Sequence, residues 1–290
     1  MKPPTEEEKG ALPPLKRPDL LKVGKRKLSW VEYINLRLVR ASFRPGIVDK
    51  LLRFFQSTIG QAWIHHGTKN LRHVVGLERL PDLNNESSVI IVANHRSFFD
   101  LYVITAELVR RGMPLRIVFM VRSDFFYDSI FGFFVNFFMS FLAMYPPVFR
   151  ERKKASMSLL ALDELAWMLR RGGVFAGLHP EGARKKDDDP YSFLPAKQGI
   201  GRLIHAARVP VIPVFVNGLS NDILGQLKGN LTGKGEPIHV VFGKSIDFGG
   251  LLQQKASRKL HAEISQRCMQ EISHLGEEEK ALRTCASAST

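Results

Sequence analysis

From about residue 88 onward, apolar and polar positions alternate in blocks that read in turn as strands and helices. Residues 88–93, 115–121, 174–178, 211–216 and 238–242 are short apolar runs of strand length. Between and after them, residues 97–111, 155–171, 198–208 and 257–275 place apolar side chains at helical spacing. Gly172 and Gly173 close the second of these helices. Strands alternating with helices predict an α/β fold with a mainly parallel sheet flanked by helices.

The chain ahead of this region is patterned differently. Residues 1–28 are rich in Pro, Lys and Glu, with no apolar period and no apolar leader segment, and are expected to form a disordered basic arm. Ser29-Trp30-Val31-Glu32 reads as a capping box. Trp30, Ile34, Leu38 and Ala41 continue from it at helical spacing, and Arg44-Pro45-Gly46 ends the helix. A second helix is expected over residues 47–65, with Val48, Leu51, Leu52, Phe55, Ile59 and Trp63 on its apolar side. Residues 29–70 thus predict a helical hairpin ahead of a main domain at 71–275, with a disordered tail at 276–290. Its aromatic rings, mixed with Arg37, Arg40, Arg44, Lys50 and Arg53, suit a membrane interface. Alternatively, the hairpin packs on the α/β core.

Residues 129–149 hold 21 residues without a charge, seven of them phenylalanine. Pro146-Pro147 limits any helix there to about 25 Å, marginal for a bilayer span. The segment is expected either to pack in the core or to dip into lipid.

The 290 residues carry a net charge of +14. Residues 1–80 hold 16 Lys/Arg against 7 Asp/Glu, so +9 of that charge lies in roughly the first quarter. The balance favours an anionic partner: a phospholipid surface, a phosphorylated substrate or nucleic acid. No nucleic-acid-binding motif is recognisable, and nucleic acid is not expected as a partner. Cys268 and Cys285 form neither a metal spacing nor a disulfide framework, and no metal is expected.

Two polar blocks follow apolar runs. In the first, His95 lies five residues before Asp100. On one continuous helix they would stand about 140° apart. They meet only if His95 lies in a turn and Asp100 in the first helical turn, with Ser97 as the expected N-cap and Asp100 near the third helical position. Asp100 could then fix the imidazole tautomer and leave His95 free to take a proton from a hydroxyl. The pair could equally be a plain helix cap with a turn histidine. The second block, His179-Pro180-Glu181-Gly182-Ala183-Arg184, offers a carboxylate, a glycine that lets a ligand approach the backbone, and a guanidinium suited to phosphate. Two such strand-end blocks point to one anion-binding site.

These blocks resemble those of the glycerolipid acyltransferase family that includes the 1-acylglycerol-3-phosphate acyltransferases. His95 and Asp100 match its H-x-x-x-x-D block, Glu181 to Arg184 its E-G-T-R block, and Val209 to Phe215 its x-P-x-x-P-x-x block. In the remaining block, Arg122, Phe125 and Gly132 keep the spacing, but the arginine comes five residues late, at Arg150. Ala183 replaces a threonine. The resemblance spans residues 88–216. It implies acyl transfer from acyl-CoA or acyl-carrier-protein to a hydroxyl of a glycerolipid, lysophosphatidic acid foremost, at the cytoplasmic face of a membrane and without a cofactor. His95 would be the base and Asp100 its orienting group. Arg150 and Arg184 would hold an acceptor phosphate, and Glu181 would position Arg184 or the acceptor. Other acceptors implied are glycerol-3-phosphate, another lysophospholipid or a non-phosphorylated lipid. A basic membrane-binding protein without activity is the remaining reading.

Overall fold

A computed structural model describes residues 15–82, 84, 86–112 and 116–287. It has helices α1 (Leu20–Gly24), α2 (Trp30–Ala41), α3 (Ile47–Ser57) and α4 (Ile59–Thr68), then strand β1 (Arg72–Val75). The α/β region follows: β2 (Val89–Ala93), α5 (Asp100–Arg110), β3 (Arg116–Arg122), α6 (Ser123–Phe126), α7 (Ile130–Ser140), β4 (Met144–Val148), α8 (Ala155–Arg170), β5 (Val174–Leu178), α9 (Gln198–Ala207), β6 (Val211–Asn217), α10 (Ile223–Thr232), β7 (Ile238–Phe242) and α11 (Arg258–Ser287).

The seven strands form one sheet in the order β1-β7-β6-β2-β5-β3-β4. Five neighbouring pairs are parallel and β6–β7 is antiparallel. The expected α/β class and mainly parallel sheet are borne out. β2, β5 and β7 are buried at every residue, which is why they read as unbroken apolar runs. From β2 the chain moves toward β3, whereas from β5 it crosses back past β2 to β6. Right-handed crossovers in opposite directions put their helices on opposite faces. Accordingly α8, α9 and α11 pack together on one side, and α4 with α5 on the other. The carboxyl ends of β2, β5 and β6 meet where the direction switches, the place where open α/β sheets take ligands.

The N-terminal expectations need revision. Residues 1–14 lie outside the described residues, but 15–28 are not a free arm. Asp19 caps α1 by accepting from Lys22 N, Leu20 is fully buried, and Arg17 is bonded to the buried Glu164. An arm rich in charge can still dock when a buried carboxylate waits for it. The capping box at Ser29 forms as expected, with Ser29 Oγ accepting from Glu32 N and the Glu32 carboxylate from Ser29 N. The second helix breaks at Thr58, whose hydroxyl donates to Phe54 O at 2.7 Å. Apolar spacing runs through the break, so periodicity alone reads one helix. Gln56 of α3 bonds both N–H and C=O of Ile117 on β3, joining the helices to the sheet.

The Phe-rich segment is an 11-residue helix, α7, capped by Ser129 and followed by the edge strand β4. At about 16 Å it is far short of a bilayer. Among the described residues no helix is long and apolar enough to cross a membrane. Pro146 and Pro147 lie on an edge strand, where a missing N–H leaves little of the ladder unmade. At the C-terminus the tail expected over 276–290 is, as far as Ser287, the continuation of α11, and Glu279 on it is fully buried; residues 288–290 lie outside the described residues.

Candidate active site

Asn94 sets the first constraint. It follows β2 directly, and its amide donates to Val216 O and accepts from Val216 N, each at 2.8 Å. This clamps the end of β2 to the end of β6. His95 is thereby held just above the sheet edge. Its ring Nδ1 lies 3.2 Å from Asp100 Oδ2. The same oxygen accepts from Arg96 N at 2.8 Å and Ser97 N at 2.9 Å. So Asp100 does what the spacing required, but as the first residue of α5 rather than the third. Ser97 is not the N-cap, which falls at Phe99; its hydroxyl instead reaches Ser220 O and Asn221.

Glu181 is buried and closes the turn from the other side. Its carboxylate accepts from His95 N and from Leu194 N, each at 2.8 Å. The sequence suggested that Glu181 positions Arg184 or an acceptor; the structure places it under the backbone of His95. The nearby Lys185 ammonium pairs with Asp187. Gly182 adopts φ +67, and a Cβ there would come within 2.9 Å of Lys197 Cγ. The turn therefore requires glycine for its left-handed backbone. Arg184 is exposed and donates to Asn221 Oδ1 at 2.7 Å. Arg96 reaches Asp187 with two bonds, tying the 185–192 loop to the histidine turn.

Arg150 stands elsewhere. It is exposed just beyond β4, three strands from β2 in the sheet order, or about 14 Å at ordinary strand spacing. It shares the sheet edge with His95 but not the cluster. Pro210 and Pro213 are parts of the β6 segment: Pro210 O accepts from Ile90 N, and Pro213 lies opposite Val92.

Sequence reasoning gave no role to His179. It is the first residue after β5, and its ring stacks face to face on His95 with centroids 3.7 Å apart and planes 9° apart. Its Nδ1 is 3.0 Å from Ala93 O. The signal was its place in the second block, but nothing in one sequence marks that position. Asn221 had no signal at all, since its loop has no periodicity.

Burial governs the protonation of the cluster. It holds the His95 imidazole down to about 4, with the Arg184 charge adding to the effect. It pushes Asp100 up to about 6, opposed by the nearby His179 and the two backbone donors. It lowers His179 to about 3. At neutral pH both imidazoles are therefore neutral and Asp100 is ionised. His95, with Nδ1 toward Asp100, presents Nε2 as a free base, and its side chain keeps 21% of its surface open. His95, Asp100 and His179 bring possible metal ligands within 4.8 Å of one another. Parallel rings, however, cannot both aim an in-plane lone pair at one ion.

A family model described as Acyltransferase matches residues 66–217, just over half of the chain. The chain belongs to the acyltransferase family. The resemblance drawn from the ordered blocks holds at this level, and the protein is an acyltransferase. Among solved structures, it is similar to the 1-acyl-sn-glycerophosphate acyltransferase PlsC from Thermotoga maritima. Identity is 17%, with 90% of this chain and 95% of that one covered and a TM-score of 0.51. At that identity the likeness concerns the fold of the acyltransferase. No curated protein matches its sequence.

Proposed function

We propose that this acyltransferase moves an acyl group from an acyl thioester, acyl-CoA or acyl-carrier-protein, to a hydroxyl of a lysophospholipid, with lysophosphatidic acid the favoured acceptor. The observation that carries the reading is the His95–Asp100 pair, held neutral and ionised respectively at the carboxyl end of β2. His95 Nε2 removes the acceptor's hydroxyl proton as the oxygen attacks the thioester carbonyl. The C–O bond forms, the C–S bond breaks, and the proton passes from His95 to the departing thiolate. A thiol pKa of about 8.5 makes that leaving group a good one, so the reaction needs no strong acid. Arg184, exposed beside the cluster, suits a phosphate on the acceptor.

The reaction occurs at an anionic membrane surface, on its cytoplasmic side. The support is a belt of exposed apolar side chains along α2, α3, α4, α7 and α10, including Trp30, Phe54, Phe131, Phe138 and Leu224. Arg37, Arg44 and Lys50 are exposed among them, whereas Arg40 and Arg53 turn inward to Glu164 and Asp49. The helices thus pack on the core with one face and leave the other for lipid.

A labelled acyl-CoA and acyl-carrier-protein, offered to lysophosphatidic acid, glycerol-3-phosphate, neutral lysolipids and diacylglycerol, tests the reaction. Transfer to lysophosphatidic acid is expected, and its loss by about a thousandfold in His95→Ala. Full transfer by that variant would remove His95 from the mechanism. Cosedimentation with phosphatidylglycerol vesicles tests the surface. Phe131→Ser with Phe138→Ser should weaken binding, and unchanged binding would exclude α7 from the interface.

A further inference from the structure

His179 lies half-buried against one face of the His95 ring and plays no part in the chemistry above. We propose that His179 is a positioning residue for His95, a flat, water-excluding floor on which the base is stacked. The inference rests on the acyl-transfer reading for its rate consequences and on the structure alone for its geometry. Val92 lies opposite Leu178 in the β2–β5 register, so His179 emerges beside Ala93, two residues before His95. Its bond to Ala93 O fixes the ring in its own plane, and the 3.7 Å stack passes that fixed plane on to His95.

Other groups fix His95 only along its edges. Asp100 on α5 holds Nδ1, and Glu181 in the loop after β5 holds the backbone N–H. Arg184 in the same loop acts on the ring through its charge. Neither hydrogen bond stops the ring from tilting out of plane, and a tilt moves Nε2 away from an acceptor hydroxyl. An aromatic floor removes that freedom and keeps water from one face of the base. A neutral imidazole suits the task, since it can lie against either a neutral or a protonated His95 without adding charge. Burial keeps it so: its pKa is lowered to about 3.

Two substitutions separate floor from chemistry. His179→Phe keeps an aromatic face and loses both ring nitrogens; His179→Ala loses the face. The alanine variant is expected to lose kcat by about a hundredfold, the scale of a misplacement near 1 Å, with acceptor KM unchanged. With water admitted to the ring, the acid limb set by His95 should move up toward the ordinary histidine value. The phenylalanine variant should keep most of the rate and the acid limb of the parent. If phenylalanine falls as far as alanine, the ring nitrogens matter and the floor is overturned. If alanine matches the parent in rate and pH profile, His179 is packing alone, which also overturns it. Should the parent transfer acyl groups to no acceptor, the acyl-transfer reading fails by itself. The floor is then tested by NMR titration of the His95 imidazole in the three proteins. A rise in its pKa in His179→Ala alone supports the stack, and equal values in all three reject it.

Discussion

Asp100 and Glu164 are both fully buried, and the fold treats these two carboxylates in opposite ways. Glu164 on α8 receives Arg17, Arg40 and the Tyr145 hydroxyl, so two cations and a phenol face one carboxylate. Asp100 receives two backbone N–H groups and a histidine ring, and its Oδ1 has no hydrogen-bond partner among the described residues. Cations close a buried charge and make it structural. Neutral donors leave it underserved, and its protonation then responds to its surroundings. The difference suits Asp100 to the proposed catalysis and makes Glu164 the knot that ties the N-terminal arm to the sheet.

Exchanging each carboxylate for its amide sharpens the contrast. Glu164→Gln leaves two guanidinium groups facing no charge and should cost about 3–5 kcal/mol of stability. Activity per folded molecule should not change. Denaturant titration checks the first and turnover at saturating acceptor the second; a stable but inactive variant would break the comparison. Asp100→Asn should instead stay folded and lose kcat by about a hundredfold, because the amide no longer favours the reactive tautomer. The parent should lose activity in two stages as pH falls, below about 6 as Asp100 takes its proton and toward 4 as His95 does. Asp100→Asn should show only the lower stage. The stability signs also differ. His95 is depressed, so it destabilises the fold progressively as pH drops from 6.5 toward 4, whereas Asp100 is raised and favours the fold across the interval from about 6 down to 3.8. The smallest effect is expected at the rim. Arg184→Ala should raise the KM of a phosphate-bearing acceptor about tenfold and leave a neutral acceptor unaffected. An equal change for both acceptors would place the Arg184 contact off the phosphate.

The sheet was legible because its inner strands are buried on both faces, and β5 and β7 match their apolar runs to the residue. The edges were not. β1 is a four-residue strand of mixed polarity, and β4 carries two prolines inside an uncharged run. Within the site, His95 and Asp100 could be paired because a five-residue spacing admits one local geometry. Glu181 and Arg150 could not be placed that way. A carboxylate can serve a ligand or a backbone turn, and only the 2.8 Å bond to His95 N decides between them. An arginine's reach depends on which strand precedes it, and β4 occupies the far edge of the sheet. Glu164 gave no signal, since its two cationic partners lie 124 and 147 residues away.

The last turns of α11 carry a further consequence. Glu279 accepts from Tyr191 in the loop beside His95, from Asn217 at the end of β6 and from Arg283, and it pairs with His239. A ribosome makes this stretch after every strand of the sheet. During synthesis the sheet can assemble, with the Tyr191 ring against Phe215, while the Tyr191 hydroxyl still lacks its Glu279 acceptor. Catalytic competence would then arrive late in translation, after the fold itself, and trimming the chain back to Leu275 should yield a folded protein arrested at that unfinished stage.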